Sequence, residues 1–234
     1  MFDSGLSNTI YSIDTDPQLV LLQTVCSENK ILLHWITHSL FEVLNFLDCL
    51  LHLKSSGVYT VSNFCGVQCS SDRVYCDTTL GGGGWTIIQR RQDGSVDFKN
   101  RYWVEYEDGF GSLDGEFWLG LRSMNCLTSR GNWELQIDYE LSNGARSYLY
   151  YKQFAVGPAE DQYQLSISRF DSVGLTNPFN PDGDRDRWLN GRAFSSHDRD
   201  NDRFPDGNCA KYSGGWWYKL CSKILLNDVY NNTT

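Results

Sequence analysis

Asp198-Arg199-Asp200-Asn201-Asp202-Arg203-Phe204-Pro205-Asp206 is the most chemical stretch of this chain, and it runs on into Asn208-Cys209-Ala210, Gly214-Gly215-Trp216-Trp217-Tyr218 and Cys221. Its carboxylates alternate along a segment with neither helical nor strand periodicity. An irregular acidic backbone suits a hard cation. Ca²⁺ takes about 6–8 oxygens from carboxylates, main-chain carbonyls and water without strict geometry. Without an ion the clustered acids repel one another, and Arg199 and Arg203 offset this only in part. The competing reading is a solvated loop whose Asp–Arg pairs are worth little. The loop is not an EF-hand: the sixth position from Asp198 is Arg203 rather than Gly, and the twelfth is Cys209 rather than Glu. A second run, Asp182-Gly183-Asp184-Arg185-Asp186, is a weaker candidate because arginine already alternates with its acids.

Around this loop the chain reads as β-rich. Trp133, Leu135, Ile137, Tyr139 and Leu141 alternate with Glu134, Gln136, Asp138 and Glu140, which predicts a strand with one buried face. Asn143-Gly144 then gives a two-residue hairpin signal, with Ser147–Phe154 as the returning strand. Tyr163–Ile167 and Trp85–Arg91 are further strands, the latter running into the turn Asp93-Gly94, and Tyr102–Tyr106 fits a short helical turn. Asn177–Gly207 has almost no periodicity, and a loop that long inside a domain is functional or tied down. Trp103, Trp118, Trp133 and Trp188 are assigned to the core.

The 234 residues suffice for one large domain with an appendage. Composition shifts near Lys54. Residues 1–45 are read as a separate N-terminal segment with a polar start and an apolar, helix-compatible run, and residues 46–234 as the globular domain. No signal peptide is evident, since Leu19–Val25 is short and lacks a basic flank. Ile31–Leu53 contains Glu42 and Asp48, which argues against a membrane span. His34 and His38 stand at helical spacing, but no Glu follows His34 to complete a zinc-protease pattern. The formal charge of −9 argues against nucleic acid or an anionic membrane surface as partner. Eight cysteines suit a few disulfides in an oxidising compartment.

The chain is not expected to be an enzyme. Asp114 and Glu116 form a carboxylate pair of the glycosidase kind, but no nucleophile elbow is present. Gly81–Gly84 lacks the Lys-Ser/Thr of a phosphate loop and is read as a turn packed on Trp85.

The ordered set of motifs carries a resemblance. Asp48-Cys49, Ser56-Gly57-Val58-Tyr59, Val74-Tyr75-Cys76-Asp77 and Gly82-Gly83-Gly84-Trp85-Thr86 come first. Gln89-Arg90-Arg91-Gln92-Asp93-Gly94-Ser95-Val96-Asp97-Phe98, Gly109-Phe110-Gly111 and Gly115-Glu116-Phe117-Trp118-Leu119-Gly120 follow. With the acidic loop and its flanking cysteines, the chain from Asp48 to Tyr230 resembles the fibrinogen C-terminal domain, as in ficolins, tachylectins, angiopoietins and tenascins. The resemblance implies an α+β fold, mostly antiparallel sheet with short helices and a long calcium-binding loop region. It also implies disulfides Cys49–Cys76 and Cys209–Cys221, which loop entropy values at about 3.6 and about 2.9 kcal/mol. The calcium ligands it implies are Asp200, Asp202, the carbonyl of Phe204 and that of Asp206 or Gly207, with Asp198 as a supporting acceptor.

Lectins of the family hold an acetyl group beside that loop. The matching positions are Tyr212, Trp216, Trp217, Tyr218 and Cys221. The sequence departs from the lectin pattern at Leu220, Ser222 and Leu225-Leu226-Asn227-Asp228, and stops before the family's last strand, which predicts an uncovered sheet edge. The first expectation is therefore a secreted, calcium-dependent module recognising acetylated glycans in innate immunity. The alternative is a non-lectin domain binding a protein receptor or matrix component. A homo-oligomer is compatible with either. Cys65 and Cys69 are close enough to pair, Cys126 has no framework partner, and Cys26 is a candidate link between subunits. Asn231 and Asn232 head weak glycosylation sequons.

Overall fold

A computed structural model describes residues 15–25 as backbone, and 49, 55–60, 73–80, 83–129, 131–141, 144–172, 177, 179, 188–221 and 225–230. The chain forms β1 (Thr15–Val25), β2 (Gly57–Thr60), β3 (Arg73–Asp77), β4 (Trp85–Arg91), α1 (Trp103–Asp108), β5 (Phe110–Gly111) and β6 (Phe117–Trp118). Then come α2 (Leu121–Thr128), β7 (Asn132–Leu141), β8 (Arg146–Val156), a 3₁₀ turn (Ala159–Asp161), β9 (Leu165–Phe170), β10 (Phe194–Ser195), α3 (Cys209–Ser213) and β11 (Trp216–Trp217). Among the described residues the main sheet runs β2-β3-β4-β1-β7-β8-β9, with β5 and β6 attached to β4, and all its pairs are antiparallel. This is the α+β arrangement expected.

The strands expected over 85–91, 133–141 and 147–154 are present, and the helical turn over 102–106 is α1. Along β7, Trp133, Leu135 and Ile137 are buried while Glu134 and Gln136 are not. β9 starts at Leu165 rather than Tyr163, because Gln162 (φ +55°) and Tyr163 (φ +52°) sit in the left-handed region and finish a turn. Gly144 takes φ +77° as a hairpin turn requires; Asn143 lies outside the described residues. Trp103, Trp118 and Trp133 are core residues, but Trp188 is 37% exposed, so its assignment to the core is corrected. Of the glycine run expected to pack on Trp85, Gly81 and Gly82 lie outside the described residues; the Trp85 indole N–H donates to the Leu80 carbonyl, and a Cβ at Gly83 would lie 2.8 Å from the Thr78 carbonyl oxygen.

The apolar run Leu19–Val25 is part of β1, which pairs with β4 on one side and β7 on the other. The sheet thus takes a strand from before the boundary expected at residue 45. Seven residues are too few for a membrane span but enough for a strand. Both strands flanking β1 are therefore paired. The helix expected within Ile31–Leu53 and the histidines there lie outside the described residues, as do Asp182–Asp186 and both sequons.

Two interlocking clusters hold the core beneath the acidic loop. The rings of Tyr106 and Trp118, Tyr106 and Phe194, and Phe194 and Trp217 stand 5.6, 5.1 and 5.1 Å apart, at the offset and edge geometries aromatic rings prefer. Gly215 donates its N–H to the Tyr106 hydroxyl. The second cluster is a carboxylate clamp. Glu116 is fully buried, and its Oε1 accepts the N–H groups of Gln92, Asp93 and Gly94 while Oε2 accepts that of Val96. Arg91, also buried, lies 3.7 Å away and donates to the carbonyls of Leu226 and Asp228. Glu116 is structural, and the glycosidase reading has no support in this geometry.

Candidate functional site

The acidic loop is hung between β10 and β11, which pair Phe194 with Trp217 and Ser195 with Trp216. Polar side chains replace regular pairing along it. The Asn201 N–H donates to the Ser195 hydroxyl, and the Asn201 amide to the Phe194 carbonyl at 2.6 Å. The Arg203 N–H donates to the Lys219 carbonyl. Asn208 caps α3 by accepting from the Ala210 N–H, and its amide N–H reaches back to the carbonyl of Ser196. The Cys209–Cys221 disulfide, with Cα atoms 5.2 Å apart, ties α3 to the chain beyond β11. Cys49–Cys76 is the other framework bond, and both pairings implied by the family resemblance are present.

Each acid of the loop has its own surroundings. Asp198 Oδ1 accepts the Trp103 N–H at 2.7 Å and the Ser196 hydroxyl, so it supports the start of α1, the accepting role expected. Asp200 Oδ1 accepts the N–H of Asp202. Asp202 Oδ1 accepts that of Phe204, and Oδ2 that of Cys209. Burial pushes the Asp202 carboxyl above its ordinary pKa and the neighbouring Asp200 carboxylate adds to this; the N–H groups of Phe204 and Cys209 pull the other way without cancelling it.

The arginines do not resolve this repulsion. The Arg199 guanidinium lies 4.1 Å over the Trp103 ring, and the charge of Arg203 bears on Arg192. Among the described residues no ion pair reaches Asp200 or Asp202. Nor do three acidic, His or Cys side chains converge there among the described residues. The carboxylates of Asp200 and Asp202 form a pair of hard donors with no ion-pair partner among the described residues. This donor chemistry fits a hard divalent cation.

The expected acetyl pocket fares differently. Trp216, Trp217 and Tyr218 are 5%, 3% and 1% exposed, and the two Trp side chains line an internal apolar cavity with Trp118, Phe154 and Phe179 rather than an open surface cleft. The reason is local. Phe179 packs on the Trp216 ring and Phe194 on that of Trp217, the Trp217 indole N–H donates to the Tyr163 carbonyl, and the Tyr218 hydroxyl donates to the Gly214 carbonyl. Cys221 is half-buried with φ +53°. Tyr212 alone of the expected aromatic set faces solvent, at 59% exposure, with its hydroxyl beside Gly207.

An exposed aromatic side chain does stand beside the loop, on the α1 side. Tyr102 is exposed and meets His197 edge-on at 5.8 Å, and Val104 on α1 is exposed nearby. Asp198 locks this end of α1 to the loop. Tyr102, Val104 and His197 carry no signal in the sequence, because their position beside the loop arises from the contact between α1 and residues 196–199. No helix among the described residues is long and apolar enough to cross a membrane.

A disulfide-braced antiparallel sheet carrying a pinned acidic loop defines a fibrinogen-type globular domain. Residues 49–234 match the family of fibrinogen beta and gamma chains, C-terminal globular domain, and the chain belongs to that family. Tenascin-R of Gallus gallus is 41% identical over 191 residues, covering 80% of this chain and 13% of that protein. Angiopoietin-related protein 6 of Homo sapiens is 43% identical over 160 residues, covering 68% of this chain and 32% of its own length. The fibrinogen-like globe domain of human ANGPTL6 superposes with a TM-score of 0.66 at 41% identity, over 76% of this chain and 74% of that one. The chain thus spans well under half of these full-length relatives.

Proposed function

We propose that this chain is an extracellular, non-catalytic binding module that recognises a protein, a receptor or matrix component, through the aromatic face beside a calcium-holding loop. The observation that carries this reading is the burial of Trp216, Trp217 and Tyr218 together with the exposure of Tyr102, Val104 and Tyr212. Burial withdraws these side chains from the surface at which an acetyl group would be recognised, which favours a protein partner. An exposed set of Tyr and Val around a polar loop is the composition of a protein interface, where aromatic residues are enriched. Tenascin-R and angiopoietin-related protein 6 are among the relatives, and neither name denotes a lectin. Two framework disulfides support an oxidising, extracellular setting.

In this reading Asp200 and Asp202 supply the charged ligands, and the carbonyls of Phe204 and of Asp206 or Gly207 supply neutral oxygens. The ion relieves the repulsion between the two acids. The chain's own residues do the rest: Asn208 and the Cys209–Cys221 disulfide hold the loop, and Asp198 fixes the aromatic face to it.

The test has two arms. On acetylated resin with Ca²⁺, the folded chain is expected in the flow-through; retention reversed by both N-acetylglucosamine and a chelator would restore the lectin reading. On immobilised extracellular matrix, binding is expected to survive enzymatic deglycosylation, to disappear after protease treatment of the matrix, and to fall at least tenfold in Tyr102→Ala/Tyr212→Ala.

A further inference from the structure

Among the described residues, the buried side-chain polar atoms Arg91 Nε, Gln89 Oε1 and Trp216 Nε1 have no hydrogen-bond partner. The first has a ready account, because Glu116 Oε1 lies 3.7 Å from it and answers its charge. The other two are a neutral acceptor and a neutral donor, and their residues line the same cavity.

Gln89 stands on β4 and is fully buried. Its Nε2 donates to the Leu226 carbonyl at 3.2 Å and to Asn227 Oδ1 at 2.6 Å. Asn227 donates in turn from Nδ2 to the Gly215 carbonyl at 2.7 Å. Main-chain carbonyls thus stand at both ends of this relay of amides. A carbonyl only accepts, so turning either amide over would set oxygen against oxygen. Gln89 Oε1 is therefore the acceptor end left over. Gly215 is followed directly by Trp216, so the relay carries Gln89 to the residue whose indole N–H lacks an acceptor.

The rest of the cavity is apolar. Ile137 on β7, Leu165 and Ile167 on β9, and Phe179 form part of its wall, and none of its described lining residues is more than 6% exposed. Its volume of about 20 Å³ is above the roughly 10–15 Å³ that a water molecule needs and leaves no room for a sugar ring. A purely apolar cavity stays dry. This one holds a buried amide oxygen and a buried indole N–H, each of which loses its hydration on folding with no protein partner in exchange. A water molecule both donates and accepts, so a single one satisfies the pair.

We infer that this cavity is a structural water site, in which one buried water donates to Gln89 Oε1 and accepts from Trp216 Nε1. The water closes the relay Gln89, Asn227, Gly215 and Trp216 into a ring, and it joins β4 of the main sheet to β11, the strand on which the acidic loop ends. The site is separate from the aromatic face and from the carboxylates of Asp200 and Asp202.

The test is water-to-protein NMR on the whole chain, isotope-labelled at its tryptophans. A cross-peak between water and the Trp216 indole proton is expected, with opposite signs in the laboratory-frame and rotating-frame experiments, as a water held inside a protein gives. Trp216→Phe identifies the resonance by removing it. No cross-peak at that proton, or one of the same sign in both experiments, which marks proton exchange with solvent, would overturn the inference. Folded Gln89→Met keeps the side-chain length and removes Oε1, so the cross-peak should be lost; an undiminished one would show that the water does not bridge the two residues. A crystal structure of the wild-type chain needs no variant to fold. Density for a water within about 3.2 Å of both Gln89 Oε1 and Trp216 Nε1 is expected, and density touching only one of them, or neither, would overturn the assignment.

Discussion

Glu116→Gln is expected to destabilise the domain by about 3–5 kcal/mol, the cost of breaking a buried pair and stranding its partner charge. The substitution keeps the volume but replaces a carboxylate surrounded by four N–H donors with an amide whose own N–H groups face some of them. It also leaves Arg91 buried without its counter-charge. Urea unfolding of both proteins measures the difference, and a loss under 1 kcal/mol would show that the clamp is incidental. The pH dependence has a definite sign. Burial raises the Glu116 pKa, but the N–H groups of Gln92, Val96, Gly94 and Asp93 lower it further, so the net shift is downward. A carboxylate whose pKa falls on folding contributes stability above its unfolded pKa, about 4.3, and loses it as pH falls through the folded value. The wild-type chain should therefore lose stability on acidification below about pH 4.3, and Glu116→Gln should lose less over that range.

Removing the second framework bond, as Cys209→Ala/Cys221→Ala, is expected to cost about 3 kcal/mol from loop closure alone. The greater consequence is local. The Cys209 N–H holds Asp202 Oδ2, so freeing α3 releases one of the two carboxylates from its fixed position. Calcium affinity should fall along with stability, and titration calorimetry on the folded variant separates the two effects. Unchanged affinity would mean that Asn208 and Ser195 hold the loop without the disulfide.

Much of this was legible because the motifs are halves of contacts. Gln89–Asp97 and Gly115–Trp118 stand out in the sequence, and the structure shows why: the turn 92–96 donates its N–H groups to Glu116. The alternation over Trp133–Leu141 directly encodes a sheet with one dry face. Three features were not legible. β1 lacks a period-2 pattern, and its pairing with β4 and β7 joins residues far apart in sequence. The burial of Trp216-Trp217-Tyr218 depends on β11 facing Phe194, a partner some twenty residues away. The placement of Tyr102 beside the loop depends on contacts across 95 residues, among them the hydrogen bond from the Trp103 N–H to Asp198.

The ion remains the hinge of the functional account, and thermal melting with and without millimolar Ca²⁺ addresses it directly. A ligand that binds only the folded chain must raise the midpoint, by an amount equivalent to about 2.7 kcal/mol at a hundred times its dissociation constant. The account predicts a rise for the wild-type chain and none for folded Asp200→Ala. A wild-type midpoint indifferent to Ca²⁺, or an equal rise in the variant, would contradict it.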